Sequence, residues 1–251
     1  NGATLVPVET GLITNPAQWV RRLREGCANV IFAVPTLFQT LAQLKLLKPE
    51  NLPDARLFVF GGEGFPVAAL RAFRERFDGH ARLLNVYGPT ETSCICSSLP
   101  IDQTALDSAQ GTFPSLGRMH EDFSYAILDD NGNDVPPGAV GELWIGGGNV
   151  GLGYFANPEE TERRFRQDPR HNRYRSIWYQ SGDLVREDGD GLLWFRGRAD
   201  NQVKVRGHRI ELEEIDLALE SLANVTRAVA VICEGDDGPE ICAAFVARSP
   251  L

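Results

Sequence analysis

The sequence predicts an α/β fold in three successive parts: a mostly parallel sheet flanked by helices, a small antiparallel β unit, and a small, partial α+β lobe at the C-terminal end. Apolar runs alternate with helical patterns up to about residue 100, which is typical of parallel strands joined by helices. Beyond Ser115 the patterns are those of hairpins, and after Asp200 one helix pattern lies among short strands. We therefore expect parts at residues 1–114, 115–199 and 200–251.

The first part contains four predicted strands and the helices between them. Asn15 followed by Pro16 is a typical helix start, because Asn caps free backbone N–H groups and Pro suits the first turn. The strands are predicted at residues 3–8, 30–34, 57–60 and 81–87. The helices are predicted from Asn15 to near Gly26, from Pro35 with Leu37, Leu41 and Leu44 on one face, and around Leu70, Phe73 and Phe77. Ligands of such sheets bind beyond the carboxyl ends of strands, where the turns at 61–64 and 87–91 lie.

Two hairpins and a ribbon–helix–hairpin lobe are predicted in the remainder. The hairpins join residues 125–128 to 141–145 through an Asn131-Gly132 turn, and residues 183–186 to 192–195 through the acidic segment 187–191. The lobe is predicted to contain a ribbon strand at 202–205, a helix at 211–222, and strands at 228–233 and 241–247.

Composition and charge exclude several classes of protein. With 43% hydrophobic and 24% charged residues among 251, the chain is neither disordered nor fibrous. Its 25 Lys and Arg against 34 Asp and Glu give a formal charge of −9, so we expect no nucleic-acid partner. A run of about 20 apolar residues and a signal-peptide pattern are both missing, so we expect no membrane partner. The missing N-terminal Met indicates processing or a piece of a longer chain.

The cysteines indicate reduced thiols. They are odd in number and scattered, at Cys27, Cys94, Cys96, Cys233 and Cys242, which favours a cytoplasmic setting over a disulfide framework. On a strand, Cys94 and Cys96 would share one face, but a metal site needs more ligands than this pair. We expect the cysteines to be small buried hydrophobic residues.

The most specific chemistry lies in the segment Asn-Val-Tyr-Gly-Pro-Thr-Glu at residues 85–91. Thr90 is suited to donate to a phosphate oxygen, and Glu91 to hold Mg²⁺, which prefers oxygen ligands. The ring of Tyr87 offers a stacking face to a base. An ordinary tight turn with a capping Thr fits the same spacing, so both interpretations stay open on these residues alone.

Two downstream segments favour the nucleotide interpretation. Asp183 follows Gly182 in the segment 178–184, where a short carboxylate could grip the vicinal hydroxyls of a ribose. The segment 197–212 combines Gly, Asp, Gln-Val-Lys and Arg-Gly-His-Arg in an order that a merely solvated basic ribbon would not require.

With these segments, the sequence resembles the adenylate-forming enzymes: acyl-CoA synthetases, luciferases and, above all, the adenylation domains of nonribosomal peptide synthetases. Four family blocks stand in order at 85–91, 141–165, 178–184 and 197–216, with a weaker match at 61–63, and the resemblance covers essentially the whole chain. It implies a ligase that uses ATP and Mg²⁺ to convert a small carboxylic or amino acid into an acyl-adenylate. The acyl group would then pass to the phosphopantetheine thiol of a carrier protein.

The resemblance also implies roles for individual residues. The adenine would contact the backbone of Gly61, Gly62 and Glu63, the ring of Tyr87 and the side chain of Asn85. Thr90 would bind phosphate and Glu91 the metal. Asp183 and Arg198 would hold the ribose, with Phe195 (usually Tyr in the family) packing nearby. Asp200 matches the hinge about which the small lobe rotates between half-reactions. Lys204 and Arg209 would lie on the lobe face used in thioester formation.

Departures from the family pattern accompany these matches. Gly151-Leu152-Gly153-Tyr154 stands where the family usually has Ala-Arg-Gly-Tyr, and Ser181 replaces a more frequent Thr. The family's phosphate loop ending in Pro-Lys-Gly and its catalytic C-terminal Lys do not occur in these residues. We therefore expect a central-to-C-terminal fragment that is inactive by itself, because that Lys supplies preorganised positive charge.

The acyl pocket, by alignment with the family, would be lined by Phe32, Phe58, Phe60, Val86, Cys94 and Ile95. Three Phe leave little volume, which favours a small amino acid, although an aromatic or aliphatic acid held against the rings stays open. Any of these Phe would equally suit the core. Two alternatives to transfer onto a carrier protein also remain: a CoA ligase, and a nucleotide-binding module without catalysis.

Overall fold

The computed structural model describes residues 2–8, 15–200, 202–205, 208–235 and 238–247. The chain divides into two compact units, Asn1–Gly197 and Arg198–Leu251. Within the described ranges, no helix is long and apolar enough to cross a membrane.

The first unit opens with a five-stranded mixed sheet and its helices. The strands, in spatial order, are β1 (Val30–Ala33), β2 (Leu57–Phe60), β3 (Arg82–Tyr87), β4 (Ser97–Pro100) and β5 (Arg118–Met119). The helices are α1 (Pro16–Glu25), α2 (Pro35–Gln43), α3 (Val67–Arg76) and the short α4 (Gln103–Asp107). Strands β1, β2 and β3 are parallel, as predicted, whereas β4 and β5 run antiparallel to their neighbours. The α/β class is confirmed, and the two unpredicted strands make the sheet mixed.

An aromatic core joins this sheet to its helices. Phe58 and Phe60 alternate with Val59 on β2 and therefore project to the same face, where they contact rings from α2 and α3. The ring centroids of Phe58 and Phe77 are 4.8 Å apart, and those of Phe38 and Phe58 are 5.6 Å apart with the planes at 90°. Such edge-on pairs contribute about 0.5–1.5 kcal/mol each beyond the burial of their area.

Two predictions in this region are wrong. Residues 3–8 form no strand, because Pro7 lacks the N–H that a ladder needs, and Leu5 is 86% exposed. Leu44 does not share the buried face of α2, because the helix ends at Gln43 and Lys45 takes a positive φ of 58°. The start of α1 is confirmed: the Asn15 side chain accepts a hydrogen bond from the backbone N–H of Gln18 at 3.3 Å.

The second sheet of this unit is antiparallel. Its strands follow the order β10 (Leu193–Arg198), β9 (Ile177–Glu187), β7 (Val140–Gly146) and β6 (Ser124–Leu128), and β8 (Phe165–Gln167) pairs with β9. Helix α5 (Pro158–Arg164) precedes β8. Both predicted hairpins pair as expected, but residues 129–139 connect β6 to β7, a longer connection than an Asn-Gly turn. Strand β9 begins well before the predicted residue 183, so the whole segment 178–184 lies within it.

The described residues of the second unit form two antiparallel ribbons and one helix. Strands β11 (Gln202–Val205) and β12 (His208–Glu211) form the first ribbon, and β13 (Val225–Gly235) and β14 (Gly238–Ala247) the second. Helix α6 (Leu212–Glu220) lies between them in the chain. The predicted order of ribbon, helix and paired strands is therefore present in this unit.

The cysteines differ in their surroundings. Cys96 is buried, as expected, and burial raises the pKa of its thiol to about 11. Cys27, Cys94 and Cys242 are exposed, which contradicts the prediction of buried cysteines. Cys94 does not share a strand face with Cys96, because it precedes β4 and has a φ of 74°.

Candidate functional site

Two predicted motifs meet where β3 ends beside β9. The hydroxyl of Tyr87, the last residue of β3, donates a hydrogen bond to Oδ2 of Asp183, which is 96 residues away in the sequence. Both residues are buried, at 9% and 6% exposure. Burial, and then the negative charge of Asp183, raise the pKa of the Tyr87 phenol well above its usual value, so the hydroxyl stays a donor. The structure thus brings together the residues expected to contact base and ribose.

Asp183 lies beside an irregularity between β7 and β9. The register shifts between Glu142 and Trp144, and Gly182 takes a φ of 76°. The backbone N–H of Gly182 donates to the Glu142 carboxylate at 2.9 Å. The Ser181 hydroxyl accepts from the backbone N–H of Asp183 at 3.0 Å and donates to the Leu143 carbonyl at 2.6 Å. Ser181 therefore uses the hydroxyl that it shares with the family's more frequent Thr.

The turn after β3 is tight and needs glycine at its start. A Cβ on Gly88 would lie 2.5 Å from the Cys94 carbonyl oxygen, so a side chain there would displace the backbone. A 3₁₀ turn at Thr90–Thr92 follows, with Thr90 exposed and Glu91 half-buried. The two side chains expected to serve phosphate and metal thus project from one turn of helix.

Tyr154 is a site residue that the sequence analysis did not identify. Its hydroxyl donates to Oε1 of Glu91 at 2.6 Å, and the backbone N–H of Gly151 donates to the Glu91 carbonyl at 2.8 Å. Burial and the neighbouring Glu91 raise the pKa of the Tyr154 phenol, so it stays protonated. The signal was present in the sequence, since Gly153 and Tyr154 keep the Gly-Tyr of the family block at 141–165, but that block carried no assigned role.

The turn at residues 61–64 is attached to helix α2. The Glu63 carboxylate accepts from the backbone N–H of Thr36 at 3.0 Å and also from the Thr36 hydroxyl. A Cβ on Gly61 would lie 2.5 Å from the Val86 carbonyl oxygen, so glycine permits the close approach of this turn to β3. Gly62 has a φ of 86°, which favours glycine as well. The Glu63 side chain is therefore engaged by Thr36 and fixes this turn to the start of α2.

Asn85 is hydrogen-bonded to Ser115, which in turn is hydrogen-bonded to β10 of the second sheet. Its side-chain NH₂ donates to the Ser115 carbonyl at 3.1 Å, and the Ser115 hydroxyl donates to the Leu193 carbonyl at 2.8 Å. Gly117 takes a φ of 88°, and a Cβ there would lie 2.0 Å from the Ser98 carbonyl oxygen. Because the amide NH₂ of Asn85 is used internally, its amide oxygen is the atom suited to accept from an adenine amino group.

The expected pocket residues do not form one surface. Phe58 and Phe60 are 0% exposed in the aromatic core, which corrects their prediction as pocket lining: on β2 they project to the helix-covered face. Phe32 is 61% exposed on β1. Val86 is buried at 5% exposure, and the remaining two residues, Cys94 and Ile95, lie between the 3₁₀ turn and β4.

The remaining predicted residues lie on β10 or in the second unit. Phe195 of β10 is 40% exposed. Arg198 and Asp200, in the second unit, form a two-point ion pair, with Nε and Nη2 each 2.8 Å from a carboxylate oxygen. Lys204 and Arg209 are opposite each other in the β11–β12 ribbon. Their side chains and residues 201, 206 and 207 of the predicted block lie outside the described part of the chain.

Comparison with known proteins identifies the family. The family described as AMP-binding enzyme matches residues 1–155. The chain belongs to this family. It is 35% identical over 246 residues to a dimodular nonribosomal peptide synthase of Bacillus subtilis (strain 168). The match covers 98% of this chain and 10% of that protein. It is 34% identical over 251 residues to surfactin synthase subunit 2 of the same strain. This match covers 100% of this chain and 7% of that protein.

Solved structures share this fold. The crystal structure of IdnL1 matches with a TM-score of 0.86 and 32% identity, over 99% of this chain and 50% of that one. A holo-PA1221 structure, described as an NRPS protein with adenylation and PCP domains, matches in fold with a TM-score of 0.79 and 24% identity. The match covers 98% of this chain and 40% of that one. The chain of this AMP-binding enzyme thus spans half of the first structure and a tenth or less of the curated relatives above.

Proposed function

We propose that the protein containing this chain activates a carboxylate with ATP, as the adenylation domain of a nonribosomal peptide synthetase does. In this reaction a substrate carboxylate oxygen forms a bond to the α-phosphorus while the bond to pyrophosphate breaks. The observation that carries the proposal is the buried hydrogen bond between Tyr87 and Asp183, because it places an aromatic ring and a carboxylate from two distant motifs side by side. A ring for the base next to a carboxylate for vicinal hydroxyls fits a nucleoside.

The residues around this pair complete the nucleotide site that we propose. The Gly61–Gly62 backbone would line the second face of the adenine, and the Asn85 amide oxygen would accept from its amino group. Asp183 would grip the ribose hydroxyls through charge-assisted hydrogen bonds. Thr90 would donate to a phosphate oxygen from its exposed position on the 3₁₀ turn.

Mg²⁺ fits the chemistry of Glu91. Among the described residues, no group of three or more His, Cys, Asp or Glu side chains could enclose a metal ion. Mg²⁺ does not require such a group, since it is commonly held by one or two carboxylates, phosphate oxygens and water. When bound, the ion would neutralise phosphate charge, and Glu91 would supply its protein ligand.

We further propose an amino acid as substrate and a carrier-protein thiol as acceptor. The relatives' names describe peptide synthases, and the PA1221 structure pairs adenylation with PCP domains, which supports both choices. The size argument for a small substrate is weaker than the sequence suggested, because two of its three Phe lie in the core. In the second step the Asp200 hinge and Lys204 would serve thioester formation.

Pyrophosphate exchange by the intact protein tests the first step. We expect one or a few amino acids to support exchange, and aryl or long-chain acids to fail. Asp183→Ala should raise the KM for ATP by about tenfold or more, since it removes charge-assisted hydrogen bonds to the ribose. An unchanged KM in a folded variant would contradict the ribose role, and exchange with aryl acids only would contradict the substrate class.

A further inference from the structure

Three hydrogen bonds join the segment at residues 149–154 to the turn at residues 90–93. The Ser93 hydroxyl donates to the Asn149 carbonyl at 3.1 Å, and the backbone N–H of Gly151 donates to the Glu91 carbonyl at 2.8 Å. The third is the 2.6 Å hydrogen bond from the Tyr154 hydroxyl to Oε1 of Glu91. The segment therefore holds both the backbone and the side chain of the residue proposed as metal ligand.

Tyr154 is itself held in place. Its backbone N–H donates to the Thr161 hydroxyl at 2.9 Å, and that hydroxyl donates to the Asn157 carbonyl at 2.7 Å. The Tyr154 ring lies edge-on to Phe165 with centroids 5.4 Å apart, and Phe165 contacts Tyr179 at 5.3 Å. A ring fixed by its backbone and by an aromatic neighbour delivers its hydroxyl to a defined position.

The two glycines of this segment permit the attachment. A Cβ on Gly151 would lie 3.2 Å from the Glu91 carbonyl oxygen. Gly153 has a φ of 131°, and a Cβ there would lie 2.3 Å from Cγ2 of Thr161. Larger residues would push the segment away from Glu91 and Thr161, so the Gly-Leu-Gly-Tyr pattern matches the position that Tyr154 occupies.

We propose that Tyr154 is a positioning residue that orients the Glu91 carboxylate toward the Mg²⁺ of bound ATP. The hydrogen bond to Oε1 restrains the terminal torsion of Glu91 and with it the plane of the carboxylate. Preorganising a ligand in this way lowers the cost of binding the ion. The inference rests on the proposed function, because it takes the ligand of Glu91 to be the metal of a nucleotide.

The test compares two Tyr-to-Phe substitutions in the intact protein. Tyr154→Phe removes the hydroxyl that donates to Glu91 and keeps the ring. Tyr125→Phe is the matched control, because the Tyr125 hydroxyl donates to Oε1 of Glu187 at 2.7 Å, a bond of the same chemistry in the same unit. The probe is Mn²⁺, titrated by electron paramagnetic resonance with a non-hydrolysable ATP analogue, and analogue affinity is also measured without divalent ions.

We expect Tyr154→Phe to weaken Mn²⁺ binding roughly tenfold, in the range that a hydrogen bond to a charged group supports. Metal-free affinity for the analogue should not change, and Tyr125→Phe should alter neither quantity. Unchanged Mn²⁺ affinity in Tyr154→Phe would overturn the inference while leaving the proposed function intact. A wild-type protein that binds no analogue, with or without Mn²⁺, would refute the proposed function itself and the inference with it.

A purely structural role is distinguished by a second background. In Glu91→Gln, a positioning role predicts that Tyr154→Phe changes Mn²⁺ affinity little further, because the group it orients is already altered. An equal loss in both backgrounds, with a lowered Tm, would show that Tyr154 only supports the fold and would overturn the inference.

Discussion

Tyr87 joins two motifs through its hydroxyl, whereas the nucleotide role that we propose uses its ring. The hydroxyl donates to a carboxylate that is almost completely removed from water. A buried charge that loses a donor retains its desolvation cost with less compensation. The hydroxyl and the ring of Tyr87 should therefore be separable by substitution.

Tyr87→Phe keeps the ring and removes the donor. We expect the free energy of unfolding to fall by about 1–3 kcal/mol, because Asp183, a charged acceptor, loses the hydrogen bond that the Tyr87 hydroxyl donates. Affinity for a non-hydrolysable ATP analogue should fall less than in Asp183→Ala, since stacking survives. Urea unfolding and calorimetric titration measure the two effects, with Tyr174→Phe, whose residue is 66% exposed, as control. A variant as stable as the control would contradict this role of the hydroxyl.

At the scale of elements, helix α2 depends on a carboxylate from another segment. Its N-cap residue, Val34, has no side-chain acceptor, and Pro35 occupies the first turn. Glu63, which follows β2, supplies the missing acceptor at Thr36. The same contact therefore caps α2 and fixes the turn that would line the adenine.

Glu63→Ala should lower the free energy of unfolding by about 0.5–2 kcal/mol, the usual effect of losing an N-cap. Glu63→Gln keeps an acceptor and should lose less, and its difference from the wild type should shrink with added salt, because the charge interacts with the helix dipole. Urea unfolding at two salt concentrations measures both, with Glu75→Ala on the exposed surface of α3 as control. Equal stability of Glu63→Ala and the control would show that α2 needs no cap from this turn.

For the whole molecule, the sequence predicted local elements better than contacts between distant segments. The strands at 57–60 and 81–87 follow from apolar runs, and the α1 start follows from Asn15 and Pro16. The strand at 3–8 failed because its apolar run contains Pro7, which lacks the N–H that a ladder needs, and because an apolar run does not show whether a strand lies beside it. Strand β4 was missed because its Ser-Ser-Leu-Pro sequence carries little strand signal.

In the candidate site, too, individual residues were predicted better than the contacts between distant segments. Tyr87, Glu91 and Asp183 were identified from motifs and from the family resemblance. The Tyr154–Glu91 contact joins residues 63 apart, and the Glu63–Thr36 contact joins residues 27 apart, so neither follows from local pattern. Phe58 and Phe60 were assigned to a pocket because alignment gives positions, whereas only the sheet and its helices determine which face of β2 is core.

Acid stability is a property of the folded molecule that depends on its paired carboxylates. Asp168, whose side chain is 4% exposed, accepts from Arg170 at the backbone N–H (3.0 Å), Nε (2.9 Å) and Nη2 (2.8 Å). These hydrogen bonds lower the pKa of the Asp168 carboxyl despite the opposing effect of burial. Hydrogen bonds from neighbouring groups likewise hold the pKa values of Glu160 and Asp188 below their usual range.

A lowered pKa in the folded state gives a definite sign to the pH dependence. The stabilisation is complete above the unfolded-state pKa of about 3.9 and is lost as pH falls through the lower folded-state value. Asp168→Asn should therefore cost about 1.5–3 kcal/mol near neutral pH, and this difference from the wild type should shrink below about pH 4. Urea unfolding across this range measures it, with Asp130→Asn on the exposed β6–β7 connection as control. A difference that persists undiminished at low pH would contradict this account, because protonating Asp168 in the wild type should remove the same charge-dependent hydrogen bonds that the substitution removes.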